Sequence, residues 1–390
     1  MKRKKVLAIT GIRSEYDILY PVIRRLRDDK HFDVKVVVCG AHLSDWHGLT
    51  YKKIIEDGFE IVEKIDYLLM TNEKTQRAKG IGILTYALTQ TVDRENSDFL
   101  LVVGDREESL ATAIVGNYLD KLVAHIGGGD PVFGNADDPI RFATSKLAHI
   151  HFTTAEVYAE NLKGIGEDAF RTFFVGNPAY ENIQGVTRLN LEQISDRLNF
   201  DIKDQRYLVL LKHPLSSQKE KSFQQMKTTL EAVDEFAQKN QLKVIGIYPN
   251  TDPGAVDILN VINRFEQCSH MRFFKTLPRD VFVNMMRHAL VLVGNSSMGI
   301  LEAPFYKLPV VNVGLRQQGR LNAGNVEFVD YHKNHIQAAI RKACFDQEYR
   351  KKVARLRNPF SNGVSSERIR KVLESIDLED KKWYVKKSLC

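Results

Sequence analysis

The chain has 390 residues, of which 27% are charged, and its formal net charge at pH 7 is +7. Because one hydrophobic core rarely covers this length, two domains are expected. The sequence contains neither an apolar run near the roughly 18 residues of a membrane span nor a basic stripe interleaved with aromatic residues. We therefore expect neither a membrane nor nucleic acid as a partner. The cysteines lack metal-ligand spacing and predict free thiols in a reducing cytoplasm; they are Cys39, Cys268, Cys344 and Cys390.

Strands and helices alternate through the first half of the chain. Apolar runs predict strands at 6–10, 32–39, 99–104, 122–126, 150–153 and 173–175, and two stretches between them, 16–26 and 109–117, predict helices. Runs that are apolar on both faces and joined by helices are typical of a parallel sheet with helices on either side. The first half therefore predicts a Rossmann-like domain.

A second series of the same kind begins near Asn199. Its predicted strands are 207–211, 244–248, 272–274, 289–293 and 310–313. The intervening region 185–203 contains no predicted strand, so we expect an N-terminal Rossmann-like domain at 1–185 and a C-terminal one at 186–365. The last helix, near 365–376, is amphipathic. It forms most of a C-terminal segment, 366–390, that is expected to return to the first domain. In such folds ligands bind beyond the carboxyl ends of the strands, and we expect the site in a cleft between the domains.

Carboxylates follow several strands of the first half. The clusters that come directly after strands are Gly11–Glu15, Gly104–Glu108 and Gly127–Asp130, and a further group contains Asp137, Asp138 and Arg141. Carboxylates are the usual acid and base groups of enzymes, so the first half is predicted to carry out the chemistry. As alternatives, Asp105 or Asp138 would be a helix cap, and Asp137 would be a solvated loop residue.

Phosphate- and ribose-binding groups follow strands of the second half. The turn Gly294–Ser297 runs from a strand into a helix and offers backbone N–H groups and hydroxyls to phosphate. Glu302, expected in the first turns of that helix, would accept the two hydroxyls of a ribose. His213, Arg316 and Arg320 follow other strands; as alternatives, His213 would be a buried histidine and the two arginines would be surface residues. Together the halves predict a base-catalysed reaction on the sugar of a nucleotide-sugar.

The combined motifs resemble the UDP-N-acetylglucosamine 2-epimerases over about residues 5–360, and the Gly-Asn-Ser-Ser and Gly-Asp-Arg variants resemble the hydrolysing branch. The motifs occur in the family's order and include Gly11–Tyr16, Gly104–Arg106, Asp137–Arg141, Lys146–His149, Lys212–Pro214, Tyr248–Asp252, Gly294–Glu302 and Asn312–Arg320. The resemblance implies a glycosyltransferase-B-type fold with two Rossmann-like domains. It also implies loss of the proton on carbon 2, anti elimination of UDP to a 2-acetamidoglucal, and addition of water. The products would be UDP and N-acetylmannosamine for synthesis of sialic-acid-type sugars.

The resemblance also implies roles for individual residues. Asp105 and Asp137 would be acid–base groups, with Asp138 close by and Asp130 and His213 also in the catalytic set. The UDP-sugar would be bound by Arg13, Ser14, Arg106, His213, Asn250, Phe282, Ser296, Ser297, Glu302 and Arg316. In this set Asn250 and Phe282 would lie at the uracil. No cofactor and no metal are implied, and a homodimer or homotetramer is expected.

The chain departs from the family pattern at one position. Gly127 stands where the family commonly has a carboxylate, and Asp130 stands where members often have glutamate. Either Asp130 or the pair Asp137 and Asp138 would replace the missing group, or the sugar differs. Four functions are alternatives to a hydrolysing UDP-N-acetylglucosamine 2-epimerase. The first is the same chemistry on UDP-2,4-diacetamido-2,4,6-trideoxyglucose, on the route to legionaminic acid. The others are a non-hydrolysing epimerase, a glycosyltransferase of the same fold, and a non-catalytic UDP-sugar sensor.

Overall fold

The computed structural model describes residues 3–69, 75–132, 137–203, 206–250 and 252–386. These residues form two compact units, described one at a time below. The first unit contains the chain up to Pro131, most of the segment that ends at Gln184, and the C-terminal part from Phe360. The second unit consists chiefly of Gly185–Pro359.

Within the described residues, the first unit contains a seven-stranded parallel sheet in the order β3-β2-β1-β4-β5-β6-β7. The strands are β1 (Lys4–Thr10), β2 (Phe32–Cys39), β3 (Ile61–Ile65), β4 (Phe99–Val103), β5 (Leu122–Ile126), β6 (Ile150–Thr153) and β7 (Thr172–Phe174). The predicted parallel sheet is confirmed. The sequence analysis missed β3, an edge strand whose Glu63 and Lys64 interrupt the apolar pattern, as is common at sheet edges.

Helices cover both faces of this sheet. They are α1 (Arg13–Arg27), α2 (Tyr51–Glu56), α3 (Thr75–Glu95), α4 (Glu107–Tyr118), α5 (Asp137–Leu147), α6 (Glu156–Gly164) and α7 (Ala179–Gln184). Alternate residues of β1 point to opposite faces. Val6 and Ala8 join the core that contains Leu19 and Leu26 of α1, whereas Leu7 and Ile9 join the core that contains Leu84 and Leu88 of α3. A strand buried on both faces therefore has a continuous apolar sequence.

The second unit, over its described residues, has a six-stranded parallel sheet in the order β10-β9-β8-β11-β12-β13. The strands are β8 (Tyr207–Leu211), β9 (Lys243–Ile247), β10 (Met271–Phe274), β11 (Leu292–Gly294), β12 (Val310–Val313) and β13 (Val326–Val329). The helices are α8 (Leu191–Leu198), α9 (Ser222–Lys239), α10 (Ala255–Ile262), α11 (Arg279–His288), α12 (Met298–Leu301), α13 (Lys333–Phe345) and α14 (Gln347–Arg355). The strand predicted at 289–293 begins three residues later and includes Gly294. The short edge strand β13 was not predicted.

The C-terminal segment packs within the first unit. Helix α15 (Ser365–Ser375) lies against α1, where Ile369 and Leu373 are fully buried. Arg370 of α15 donates a 2.8 Å hydrogen bond to Asp29. Nη1 of Arg171 donates to the carbonyl of His149 at 3.0 Å and to that of Trp383 at 3.2 Å. These contacts tie the end of the chain to the first sheet.

Among the described residues, no helix combines the length and apolar character needed to cross a membrane. Cys39, Cys268 and Cys344 are free thiols, as predicted. Cys390 lies outside the described residues.

Candidate functional site

The start of α1 places the first predicted binding residues at the carboxyl end of β1. Arg13 is the first residue of the helix and lies 3.9 Å from Asp17, one turn along, while Ser14 is exposed. Gly11 comes just before the helix, and a Cβ atom there would lie 1.5 Å from Oε1 of Glu108. A glycine is therefore required at this strand end because a carboxylate from the start of α4 occupies the space.

Asp105 and Arg141 meet between the ends of β4 and β5. The guanidinium of Arg141 forms an ion pair with the carboxylate of Asp105 through Nη2. Its Nη1 donates a 2.6 Å hydrogen bond to the carbonyl of Gly127. Arg141 is buried, so this two-point contact fixes both the predicted catalytic carboxylate and the loop that follows β5.

His125 links the same strand ends from inside the protein. Its Nε2 lies 2.7 Å from the carbonyl of Gly104 and donates to it, and its Nδ1 lies 3.3 Å from the hydroxyl of Ser145. Burial lowers the pKa of His125 to about 3. The ring is therefore neutral at physiological pH, and its contacts indicate that it orients the Gly104–Asp105 turn.

The glycine loop after β5 has a conformation that explains its sequence. Gly127 has φ = +83°, a region that side chains rarely adopt. A Cβ there would make an ordinary van der Waals contact with Nη1 of Arg141, 3.6 Å away, whereas a Cβ at Gly129 would lie 2.3 Å from the carbonyl of Tyr158. The carboxylate missing at Gly127 thus coincides with a backbone conformation that favours glycine.

The candidate replacements for that carboxylate lie on either side of residues 133–136, which are outside the described part of the chain. Asp130 is 2% exposed. Asp137 is the first residue of α5, and its side chain is not among the atoms that the structure describes. Asp138 is half-buried. Their roles therefore stay predictions.

A group of buried carboxylates surrounds Arg106. Its guanidinium lies 3.7 Å from Glu107 and 3.8 Å from Glu108. Glu108 also accepts a 2.6 Å hydrogen bond from the hydroxyl of Tyr67, and Glu15 accepts a long one, 3.4 Å, from the backbone N–H of Gly11. Arg106, predicted to bind the diphosphate, thus lies against two carboxylates.

The members of this cluster differ in the direction in which their pKa values are shifted. Burial raises the pKa of Glu15 well above its usual range, and the neighbouring Glu108 adds to that shift. Burial also raises the pKa of Glu108. Burial disfavours the charged form of Glu107 as well, but Arg106 and Arg77 outweigh it and lower the pKa of Glu107. The sequence analysis included these glutamates in the carboxylate clusters after strands but gave none of them an individual role. Their shared position after β1 and β4, which pair directly, is the signal that could have found them.

In the second unit, the ends of β8 and β11 are in direct backbone contact. Gly294 has φ = +142°, and a Cβ there would lie 2.0 Å from the carbonyl of Leu211. The next residue, Asn295, accepts from the N–H of His213 at 2.7 Å and donates to its carbonyl at 2.9 Å. The side chain of Asn295 therefore fixes the backbone of His213.

The ring of His213 has a defined orientation. Its Nδ1 lies 3.0 Å from the backbone N–H of Asn250 and accepts from it, which places the proton of the neutral ring on Nε2. The side-chain amide of Asn250 donates a 2.6 Å hydrogen bond to Asp252. Asn250 thus orients the histidine through its backbone. Phe282 is partly buried on α11 and packs against the nearby core.

The turn after β11 leads into a helix much shorter than predicted. Helix α12 spans only Met298–Leu301, and Glu302, expected in its first turns, lies at its end. A 3-10 helix, Ala303–Tyr306, follows with Pro304 near its start. Proline lacks an N–H and its ring clashes with the carbonyl four residues earlier, so Pro304 disfavours the continuation of α12. A single turn has a small dipole, and phosphate binding by Ser296 and Ser297 would depend on other positive groups.

Lys212 and Arg316 are such groups. They are 1% and 9% exposed. Nη1 of Arg316 donates to the carbonyl of Asn295 at 3.2 Å, and Nζ of Lys212 lies 3.4 Å from the hydroxyl of Tyr331. In the part of the chain that the structure describes, no carboxylate lies within 4 Å of either cation. Buried charges are normally paired, so this region is suited to an anion.

Over the described ranges, no group of three or more His, Cys, Asp or Glu side chains could hold a metal ion.

Comparison with known proteins gives consistent matches. A family profile described as UDP-N-acetylglucosamine 2-epimerase matches residues 24–374. The chain is 32% identical over 375 residues to the UDP-N,N'-diacetylbacillosamine 2-epimerase (hydrolyzing) of Legionella pneumophila, covering 96% of this chain and 97% of that protein. It is 29% identical over 343 residues to the UDP-N-acetylglucosamine 2-epimerase of Neisseria meningitidis serogroup B, covering 87% and 88%.

Solved structures extend the similarity to the fold. The structure of UDP-GlcNAc 2-epimerase from Neisseria meningitidis bound to UDP-GlcNAc matches with a TM-score of 0.80 at 19% identity, over 95% of this chain and all of that chain. At this level of identity the match supports the two-domain α/β architecture predicted from sequence.

Proposed function

This chain belongs to the UDP-N-acetylglucosamine 2-epimerase family, and on that premise we propose that it is a hydrolysing 2-epimerase of a UDP-linked 2-acetamido sugar. One observation carries the proposal. The strand ends of the first unit hold carboxylates, with Asp105 fixed by Arg141, while those of the second unit hold the buried cations Lys212 and Arg316 without carboxylate partners in the described chain. In our proposal the acid–base groups come from the first unit, and most of the diphosphate-binding groups come from the second.

The proposed reaction has two steps. A carboxylate removes the proton on carbon 2, and the bond between carbon 1 and the UDP oxygen breaks on the opposite face, which gives UDP and a 2-acetamidoglucal. Water then adds to the double bond, with hydroxyl at carbon 1 and a proton delivered to carbon 2 on the other face. Because the two proton transfers occur on opposite faces, two acid–base groups are needed. We assign them to Asp105 and Asp137, with Asp130 and Asp138 as candidates for a third carboxylate.

The second unit would bind the departing UDP. Nε2–H of His213, the guanidinium of Arg316 and the hydroxyls of Ser296 and Ser297 are suited to the diphosphate, where positive and donor groups stabilise the leaving group. Arg13, Ser14 and Arg106 would complete this set from the first unit, although Arg106 would have to share its charge with Glu107 and Glu108. In our proposal Glu302 accepts the ribose hydroxyls, and Asn250 and Phe282 contact the uracil.

Two sugars are candidates. The similarity of 32% to an enzyme named for UDP-N,N'-diacetylbacillosamine favours that substrate, which is the 2,4-diacetamido-2,4,6-trideoxy sugar considered from the sequence. The departure at Gly127 also favours a sugar other than the family's usual one. UDP-N-acetylglucosamine, the first choice from sequence, is supported by the relative at 29% identity. Either product would supply synthesis of a sialic-acid-type sugar.

Incubation with each UDP-sugar in deuterated water tests this proposal. Hydrolysing epimerisation predicts UDP and free sugar with deuterium at carbon 2, and the ratio of kcat/KM for the two sugars identifies the substrate. Deuterated UDP-sugar without free sugar would instead indicate the non-hydrolysing reaction. Binding of UDP without turnover of either sugar would indicate a sensor. The Asp105→Asn variant is the control for enzyme-dependent exchange.

A further inference from the structure

Lys212 is a buried cation with few partners. It directly follows β8, whose five residues are all buried, and it directly precedes His213. Its Nζ lies 3.4 Å from the hydroxyl of Tyr331 and 5.0 Å from the centre of that ring. A charged lysine has three N–H donors, and within the described chain the Tyr331 hydroxyl is the hydrogen-bond partner of Nζ. The charged form is therefore poorly satisfied.

The groups that face Lys212 do not compensate its charge. Tyr331 comes from the segment after β13, Arg316 comes from the segment after β12, and His213 is its neighbour in the chain. Burial lowers the pKa of Lys212 to about 7, and the positive charge of Arg316 adds to the shift. Burial raises the pKa of Tyr331, so its hydroxyl stays protonated at physiological pH.

Tyr331 can support Lys212 in either protonation state. A hydroxyl accepts from a charged ammonium and donates to a neutral amine. Gly314 leaves room for this hydroxyl, because a Cβ at that position would lie 2.3 Å from it. The surroundings of Lys212 are thus compatible with a change of charge without rearrangement of the backbone.

We propose that Lys212 takes up a proton when a nucleoside diphosphate binds to the second unit, so that the buried cation and the ligand compensate each other's charge. This inference rests on the proposed function, because it takes the diphosphate of UDP as the anion. Lys212 is 1% exposed, and in this proposal it acts through its electrostatic field, which is strong where water is excluded. The same charge would stabilise UDP as it leaves the sugar.

The test is calorimetric titration of UDP into the protein at pH 8, in HEPES and in Tris, whose ionisation enthalpies differ. The dependence of the binding heat on the buffer gives the number of protons taken up. We expect about 0.5–1 proton for the wild-type protein. Lys212→Met, which keeps the volume but removes the charge, should abolish the uptake and weaken UDP binding roughly tenfold or more.

Other variants separate charge from structure. Lys212→Arg keeps a cation that cannot lose its proton, so it should bind UDP without proton uptake. Lys239→Met removes an exposed lysine on α9 of the same unit and should leave uptake unchanged. Should Lys212→Met fail to fold by circular dichroism, Tyr331→Phe provides a second test, because loss of the hydroxyl should reduce the uptake.

The outcomes distinguish this inference from the proposed function. UDP binding with no proton uptake by the wild-type protein, or with equal uptake by Lys212→Met, would overturn the role of Lys212 and leave the proposed function intact. A complete lack of UDP binding by the wild-type protein would overturn both.

Discussion

Arg141 holds Asp105 and the carbonyl of Gly127 at the same time, and so joins the ends of β4 and β5 through one buried guanidinium. The planar fork of arginine makes this possible, because its two terminal nitrogens point to different acceptors. The orientation of the proposed catalytic carboxylate therefore depends on a residue thirty-six positions later in the chain.

Replacement of Arg141 by lysine should affect turnover more than UDP binding. Lysine offers a single charged centre and cannot keep both contacts, so Asp105 would lose its fixed position, and we expect kcat to fall about tenfold to a hundredfold. The affinity for UDP, measured by calorimetry, should stay within a few-fold. Arg370→Lys, which alters a multiply bonded arginine on α15 of the same unit, is the control for stability and should keep full activity. A rise in Kd for UDP with unchanged kcat would contradict the assignment.

The hydroxyls of Ser296 and Ser297 should contribute mainly to nucleotide binding. In Ser296→Ala with Ser297→Ala, the loss of donors to a charged phosphate should weaken UDP binding at least about tenfold. Asp105→Asn should leave UDP affinity within a few-fold, because its proposed role is proton transfer. Titration of UDP into both variants checks the division of roles, which the reverse pattern would refute.

Gly127 should resist substitution for conformational reasons. Gly127→Ala would place a side chain at φ = +83° without a steric clash, so we expect a loss of about 1 kcal/mol in unfolding free energy from backbone strain alone. Gly82 is the matched control: it lies within α3 with nothing within 4 Å of an added Cβ. Gly82→Ala should stabilise the protein by about 0.5–1 kcal/mol. Urea unfolding measures both, and equal effects would show that Gly127 is not strained.

These residues also show how far sequence reasoning reaches. The largely apolar runs of β2, β5, β6, β8 and β12 predicted those strands with their observed bounds, and the run of β4 was predicted one residue too long, because most positions of a strand covered on both faces are apolar. Edge strands such as β3 and β13 carry charged residues and were missed. The short length of α12 could have been predicted from Pro304. The isolation of Lys212 could not be predicted, because it depends on which charged side chains are absent from its surroundings.

The buried Lys212 should make stability depend on pH. Its pKa is about 7 in the folded protein and has an ordinary value of 10.5, so between these values the unfolded chain binds more protons than the folded one. The unfolding free energy contributed by this group therefore rises with pH from about 7 to 10.5. Urea unfolding of wild type and Lys212→Met across pH 7–9.5 should show the wild type gaining stability relative to the variant. A difference that is constant with pH would be inconsistent with a neutral Lys212 in the folded state.

The last prediction concerns the carboxylate that replaces the one missing at Gly127. Asp105→Asn and Asp137→Asn should each lower turnover at least about a hundredfold, because general acid–base groups contribute in that range. The double variant should lower turnover by less than the product of the two single effects, since the effects of residues that act as a unit are not additive.

Variants of Asp130 and Asp138 then separate the remaining alternatives. If the buried Asp130 supplies the third carboxylate, Asp130→Asn should be as severe as the others and Asp138→Asn mild; if Asp138 does, the order reverses. Single-turnover rates measured with each UDP-sugar decide between them, and near-normal turnover in both Asp105→Asn and Asp137→Asn would remove the proposed mechanism.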